Sequence, residues 1–120
     1  MPEINYRETT EALGTTRSLR YSPCKGIINS AILHFPSGCN SLVEIFIYLK
    51  SNQILPTPVT GGGTTNTGIA LDDTTQAFNV NIPVEHGDPI EVIIYNHDDS
   101  NEHTNTIVVL IEQGLTYTGA

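Results

Sequence analysis

Two kinds of alternation run along this chain. Extended backbone would turn Val43, Ile45, Ile47 and Leu49 of SLVEIFIYLK to one side and Leu42, Glu44, Phe46, Tyr48 and Lys50 to the other. Neither side is mainly polar, so this segment is expected to be a central strand of a sheet covered on both faces, with the second cover supplied by another subunit. TNTIVVLIEQ repeats the pattern, with Thr106, Val108 and Leu110 alternating with Ile107, Val109 and Ile111. QAFNVNI is different, because Phe78, Val80 and Ile82 point one way and Asn79 and Asn81 the other. GIINSAILHF sets Ala31, Leu33 and Phe35 against Ile28, Ile32 and His34, and PIEVIIYN sets Ile90, Val92 and Ile94 against Glu91, Ile93 and Tyr95.

Turn chemistry separates these runs. Pro36-Ser37-Gly38 suits a hairpin loop between the strands on either side, SNQILP a turn and short strand, and GIALDD a short strand ending in the acidic turn Asp72-Asp73. In VEHGDP, Gly87 is expected to take a positive φ and Asp88 to bond nearby amides. TPVTGGGTTNTG contributes little core and is expected to be a flexible loop. A phosphate cradle there would need a following helix and usually a Lys, and neither follows Gly61 to Gly63.

No stretch of roughly eleven residues carries an amphipathic helical period. The chain is therefore predicted to be an all-β, single-domain antiparallel β-sandwich of seven or eight strands. Without Trp it lacks the Cys, Trp, Cys pattern of antibody-type domains, which favours a jelly-roll-like sandwich over an immunoglobulin-like one. Residues 1–23 are expected to form an N-terminal arm, 24–113 the sandwich and 114–120 a C-terminal tail. The arm is expected to hold short edge strands near Ile4 to Thr9 and Thr16 to Tyr21, and it could lie over its own sheet or over a neighbour's.

Length and charge narrow the function classes. The 120 residues suit one domain able to bury a core without metal or disulfide. A formal charge of -8 disfavours nucleic acid, whose backbone is bound by cations, and would repel anionic membranes. No apolar run reaches the roughly 20 residues needed to cross a bilayer, and the N-terminus shows no secretory signal, so cytoplasmic synthesis is the simple expectation. Cys24 and Cys39 lack the CxxC pairing of zinc or redox sites and are expected as free, partly buried thiols.

Chemistry has few places to reside. His97-Asp98-Asp99-Ser100-Asn101-Glu102-His103 is the one dense group of ligand-type residues. Calcium would draw on Asp98, Asp99, Asn101 and Glu102, and zinc on His97, His103 and a carboxylate. The spacing matches no established metal loop, and Asp, Ser and Asn are what turns are made of; no metal and no cofactor are assigned. His34 reads as an ordinary strand histidine. Asp72-Asp73 and Asp98-Asp99 are adjacent in sequence and diverge in extended chain, and no GxSxG or His-activated Cys motif is visible. The expectation is that the protein is not an enzyme.

The segments PSGCNSLVEIFIYL, GIALDDTTQAFNV and VEHGDPIEVIIYNHDD give residues 26 to 113 a pattern that resembles small β-sandwich accessory proteins of virus particles, particularly decoration proteins of tailed-phage heads. The resemblance implies a sandwich that often trimerises, with an N-terminal arm that engages the shell or a neighbouring subunit without catalysis. It also implies a location on the virion after assembly in the host cytoplasm. The expected function is a non-enzymatic structural protein that forms a homo-oligomer and binds a capsid or other shell protein. Its expected interface is the face carrying Leu42, Phe46, Tyr48, Ile93, Tyr95, Ile107, Val109 and Ile111. Six such side chains leaving water could contribute roughly 9–18 kcal/mol before docking costs. The alternative is a β-sandwich carbohydrate-binding module, calcium-assisted at the 97–103 loop, with sugars stacking on Phe46, Tyr48 and Tyr95.

Overall fold

The structure is a computed structural model that describes residues 2–56 and 68–113. The glycine-rich loop and the C-terminal tail anticipated from the sequence lie outside the described residues, apart from Pro56 and Gly68. Among the described residues the chain forms eight strands and no helix: β1 (Glu3–Thr10), β2 (Thr15–Tyr21), β3 (Gly26–Phe35), β4 (Val43–Leu49), β5 (Asn52–Leu55), β6 (Thr74–Val84), β7 (Pro89–Asn96) and β8 (His103–Gln113). β-Branched residues are frequent in β4, β7 and β8, where their stiff branched side chains pack well against neighbours on a pleated surface.

The strands form two four-stranded sheets, β1-β8-β3-β6 (sheet A) and β2-β7-β4-β5 (sheet B). β1 pairs with β8, β2 with β7, β3 with β6 and β4 with β5, all antiparallel. These pairs make an antiparallel β-sandwich, as expected from the sequence. The inward residues of both sheets meet in one core: Ile28, Ala31, Leu33, Phe35, Ile107, Val109 and Ile111 from sheet A against Val43, Ile45, Ile47, Ile90, Val92 and Ile94 from sheet B. Each Val, Leu, Ile or Phe side chain among them contributes about 1.5–3 kcal/mol when taken out of water.

Residues 2–23, expected as an arm, carry β1 and β2, which run as the outer strands of the two sheets on one side of the sandwich. These strands lie where the sequence reading expected them, near Ile4 to Thr9 and Thr16 to Tyr21. Tyr6 shows the attachment: it is fully buried, its hydroxyl donates to the Ile90 carbonyl at 2.9 Å across the sandwich, and the Arg20 guanidinium lies 5.7 Å from its ring centroid. Burial pushes the Tyr6 phenol up, with Arg20 pulling weakly the other way.

Two local expectations are corrected. β3 and β4 are not a hairpin, because the connection at 36–42 crosses from sheet A to sheet B. Gly38, Asn40 and Ser41 all take positive φ there, and the buried Cys39 plugs the crossing. GIALDD is not a strand either: Ile69 alone bridges to Ile45, beside β4 beyond the end of β5. The turn before β7 is as read, with Gly87 at φ 86° and the Glu85 amide donating to Asp88 Oδ2 at 2.9 Å.

Candidate functional site

Sheet B presents Glu44, Phe46 and Tyr48 of β4 beside Tyr95, Ile93 and Glu91 of β7, in register. Phe46 and Ile93 are only 7% and 4% exposed although they face away from the core. Part of that cover is identifiable. The Gly68 amide donates to Glu44 Oε2 at 2.7 Å, and a Cβ at Gly68 would stand 2.8 Å from the Phe46 ring, so the backbone of residue 68 passes directly against the aromatic. Glu44 Oε1 meets His97 Nε2, holding the 97–102 loop to the same strand. Phe46 and Tyr95 pack edge to face with centroids 5.7 Å apart, and Tyr95 stacks on His97 at 6.5 Å. The rings are engaged with one another.

Sheet A turns a different surface outward. Asn5, Val108, Ile32 and Ala77 form one row across its four strands. Ile27 and Leu110 also lie on sheet A, and with Ile32 and Val108 they remain half-buried, neither sealed nor fully wet. At the end of this face nearest the start of β8, a groove of about 370 Å³ is lined by Arg7, His34, Ser37, Glu102 and Thr104, among others. His34 is exposed there, its Nδ1 2.7 Å from Thr75 Oγ1.

The loops at one end of the sandwich carry Glu11, Asp72, Asp73, Asp98, Asp99 and Glu102, and their described residues include no Lys or Arg. Buried Asn96 ties them together, its amide donating to the carbonyls of Thr10, Glu11 and Asn101 at 3.1, 3.2 and 2.9 Å. Asp98 completes the latch: His103 Nε2 lies 2.8 Å from its Oδ2, and the Ser100 amide donates to Oδ1 at 2.9 Å. Those bonds, the one to His103 first, hold the Asp98 carboxyl down at about 2. Asp72 Oδ1 likewise accepts from the amides of Gly38 and Asn40.

This arrangement uses its ligand-type groups on itself. Among the described residues, no three His, Cys, Asp or Glu side chains converge so as to hold a metal ion. Cys39 lies near this network, but burial pushes its thiol up, the Asp72 and Asp98 charges push it further, and only Asn105 pulls it down. That is the opposite of an activated thiolate. Cys24 and Cys39 are both buried and free.

The structure divides the eight residues expected to share one interface. Phe46, Tyr48, Ile93 and Tyr95 do share the outer face of sheet B, and Leu42, 38% exposed, sits just before β4. Ile107, Val109 and Ile111 do not join them: at 0%, 1% and 0% exposure they face the core from sheet A. Alternation fixes which residues share a side of one strand, but not which side faces inward or which sheet the strand enters. Sequence reasoning missed Asn96 and Asn105, whose signal was an Asn at the margin of an apolar run.

No family model matches the chain, and no curated protein matches it. Among solved structures it is similar to Aeromonas hydrophila PliG, a periplasmic inhibitor of g-type lysozyme, with TM-score 0.46 and 8% identity over 92% of this chain and 86% of that one. It is also similar to FlhE, with TM-score 0.40 and 9% identity over 91% and 96% of the two chains. A chain of infectious bursal disease virus strain Gx gives TM-score 0.37 and 14% identity, covering 99% of this chain and 33% of that one. Likenesses this distant carry no argument about function.

Proposed function

We propose that this chain is a non-enzymatic structural protein that works by self-association, as an accessory protein of a virus or phage shell. The observation that carries the association is the apolar row through Val108 and Ile32 on the outer face of sheet A, half-exposed while the opposite sides of the same strands close the core. A contiguous apolar surface left at a water boundary is stabilised when another protein surface covers it. The shell assignment rests on the sequence pattern of residues 26 to 113.

The proposed face thereby moves from sheet B to sheet A. Phe46 and Ile93 already have cover within one chain, whereas Val109 is a core residue whose replacement by a charge would unfold the sandwich rather than probe an interface. Carbohydrate binding draws less support, since Phe46 is buried and Tyr95 packs against two neighbouring rings. Light scattering on Val108→Glu beside the parent chain tests the face. A lower mass with unchanged circular dichroism supports it, and equal masses above that of one chain would remove sheet A's outer face from the contact.

A further inference from the structure

Four strand edges border the two sheets, and three of them carry the usual protections against pairing with another chain. β1 bears Glu3, Arg7 and Glu8; β2 bears Arg17 and Arg20; β5 is only four residues long. β6 has neither device over most of its length. Its eleven residues, TTQAFNVNIPV, include no charge. Protection is confined to its last part, where Asn81 takes φ 55°, the pairing with β3 shifts register between Ile28 and Ser30, and Pro83 has no N–H to donate. From Thr74 to Asn79 the strand pairs with β3 on one side, and among the described residues no strand lies on the other. Such an edge offers a row of backbone donors and acceptors ready for a further strand.

We propose that β6 pairs antiparallel with β6 of a second copy, about a two-fold axis centred on Ala77, joining the two A sheets into one. This rests on the self-association reading above and adds to it a contact at the edge of sheet A, separate from the outer face that carries Val108 and Ile32. Two observations select a second copy as the occupant. A two-fold contact sets a strand against itself, so any charge in it meets the same sign nearby; in a chain of net charge -8, the run from Thr74 to Val80 is a long edge segment without that penalty.

The second observation is register. Ala77 ends the row Asn5, Val108, Ile32, Ala77, and centring the axis on it continues the apolar row into the partner. Thr75 then faces Asn79, and Gln76 faces Phe78. Moving the axis to residue 76 would set Ala77 opposite Thr75, which continues into exposed His34, and the apolar row would end at the contact. A two-fold contact of this kind builds even-numbered assemblies, in contrast to the trimer that the sequence resemblance implies.

The test uses Ala77→Lys and Ala77→Glu, at an exposed position where neither charge is buried in a single chain. The parent protein is expected at an even multiple of 13.0 kDa by light scattering, and each variant alone at half the parent's mass with unchanged circular dichroism. An equimolar mixture of the two is expected to return to the parent's mass, since opposite charges then face each other across the axis. The parent's mass persisting in both variants, or falling in Val108→Glu alone, overturns the edge contact and leaves self-association standing. Failure of the mixture to recover overturns the Ala77 register, and a parent chain at 13.0 kDa at every concentration overturns the edge contact and self-association together.

Discussion

The outer faces of the two sheets begin from the same sequence feature and end differently. β4 and β8 both carry apolar residues on both sides. In sheet B, residue 68 passes over Phe46, and Phe46 and Ile93 are almost sealed within one chain. In sheet A the corresponding Ile32 and Val108 stay half-exposed. A strand that is oily on both sides therefore requires a second cover without specifying its source. The source is set by which loops fold back, and that depends on topology.

Core truncation gives the largest expected break in this contrast. Ile107→Ala, at a site once grouped with the interface, should cost about 2–5 kcal/mol in urea unfolding through transfer and cavity terms. The oligomeric mass of the folded variant should stay that of the parent chain. A change of mass with little loss of stability would return Ile107 to the surface.

Gly68→Ala tests the seal on sheet B. The added methyl meets the Phe46 ring and the Ile45 carbonyl at 2.8 and 3.1 Å, so a loss of about 1–3 kcal/mol from overpacking is expected. Stability equal to the parent's would show that residue 68 does not press on Phe46.

Acid distinguishes the loop latch from either face. The Asp98 carboxyl is held at about 2 in the fold, below its ordinary value of roughly 3.9. Its contribution to stability is thus complete above the ordinary value and is lost as pH falls through the lowered one. Asp98→Asn should lose stability at neutral pH and show a shallower decline between about pH 4 and 2. Parallel curves for the two proteins would remove Asp98 from the latch. The smallest effect is expected at Val108→Ser, within roughly 0.5 kcal/mol for an isolated chain.

Much of the sandwich was legible because a period of two, turn residues such as Gly87 and Asp88, and the want of helical patterning are local properties. β4's inward set of Val43, Ile45, Ile47 and Leu49 could be read this way. What was not legible was pairing at a distance. Nothing in Pro36-Ser37-Gly38 distinguishes a hairpin from a crossing between sheets, and β8's entry into sheet A, away from β4, put Ile107, Val109 and Ile111 out of reach of Phe46. The unguarded edge of β6 is visible as an uncharged run, but only the strand order shows it to be an edge.

Association of a second copy stands or falls on the mass of the unmodified chain, measured by light scattering across a wide concentration range. A mass settling at twice 13.0 kDa, or at a higher multiple, is the expected result. A mass of 13.0 kDa throughout would contradict it, and the outer face of sheet A would then belong to a molecule that functions alone.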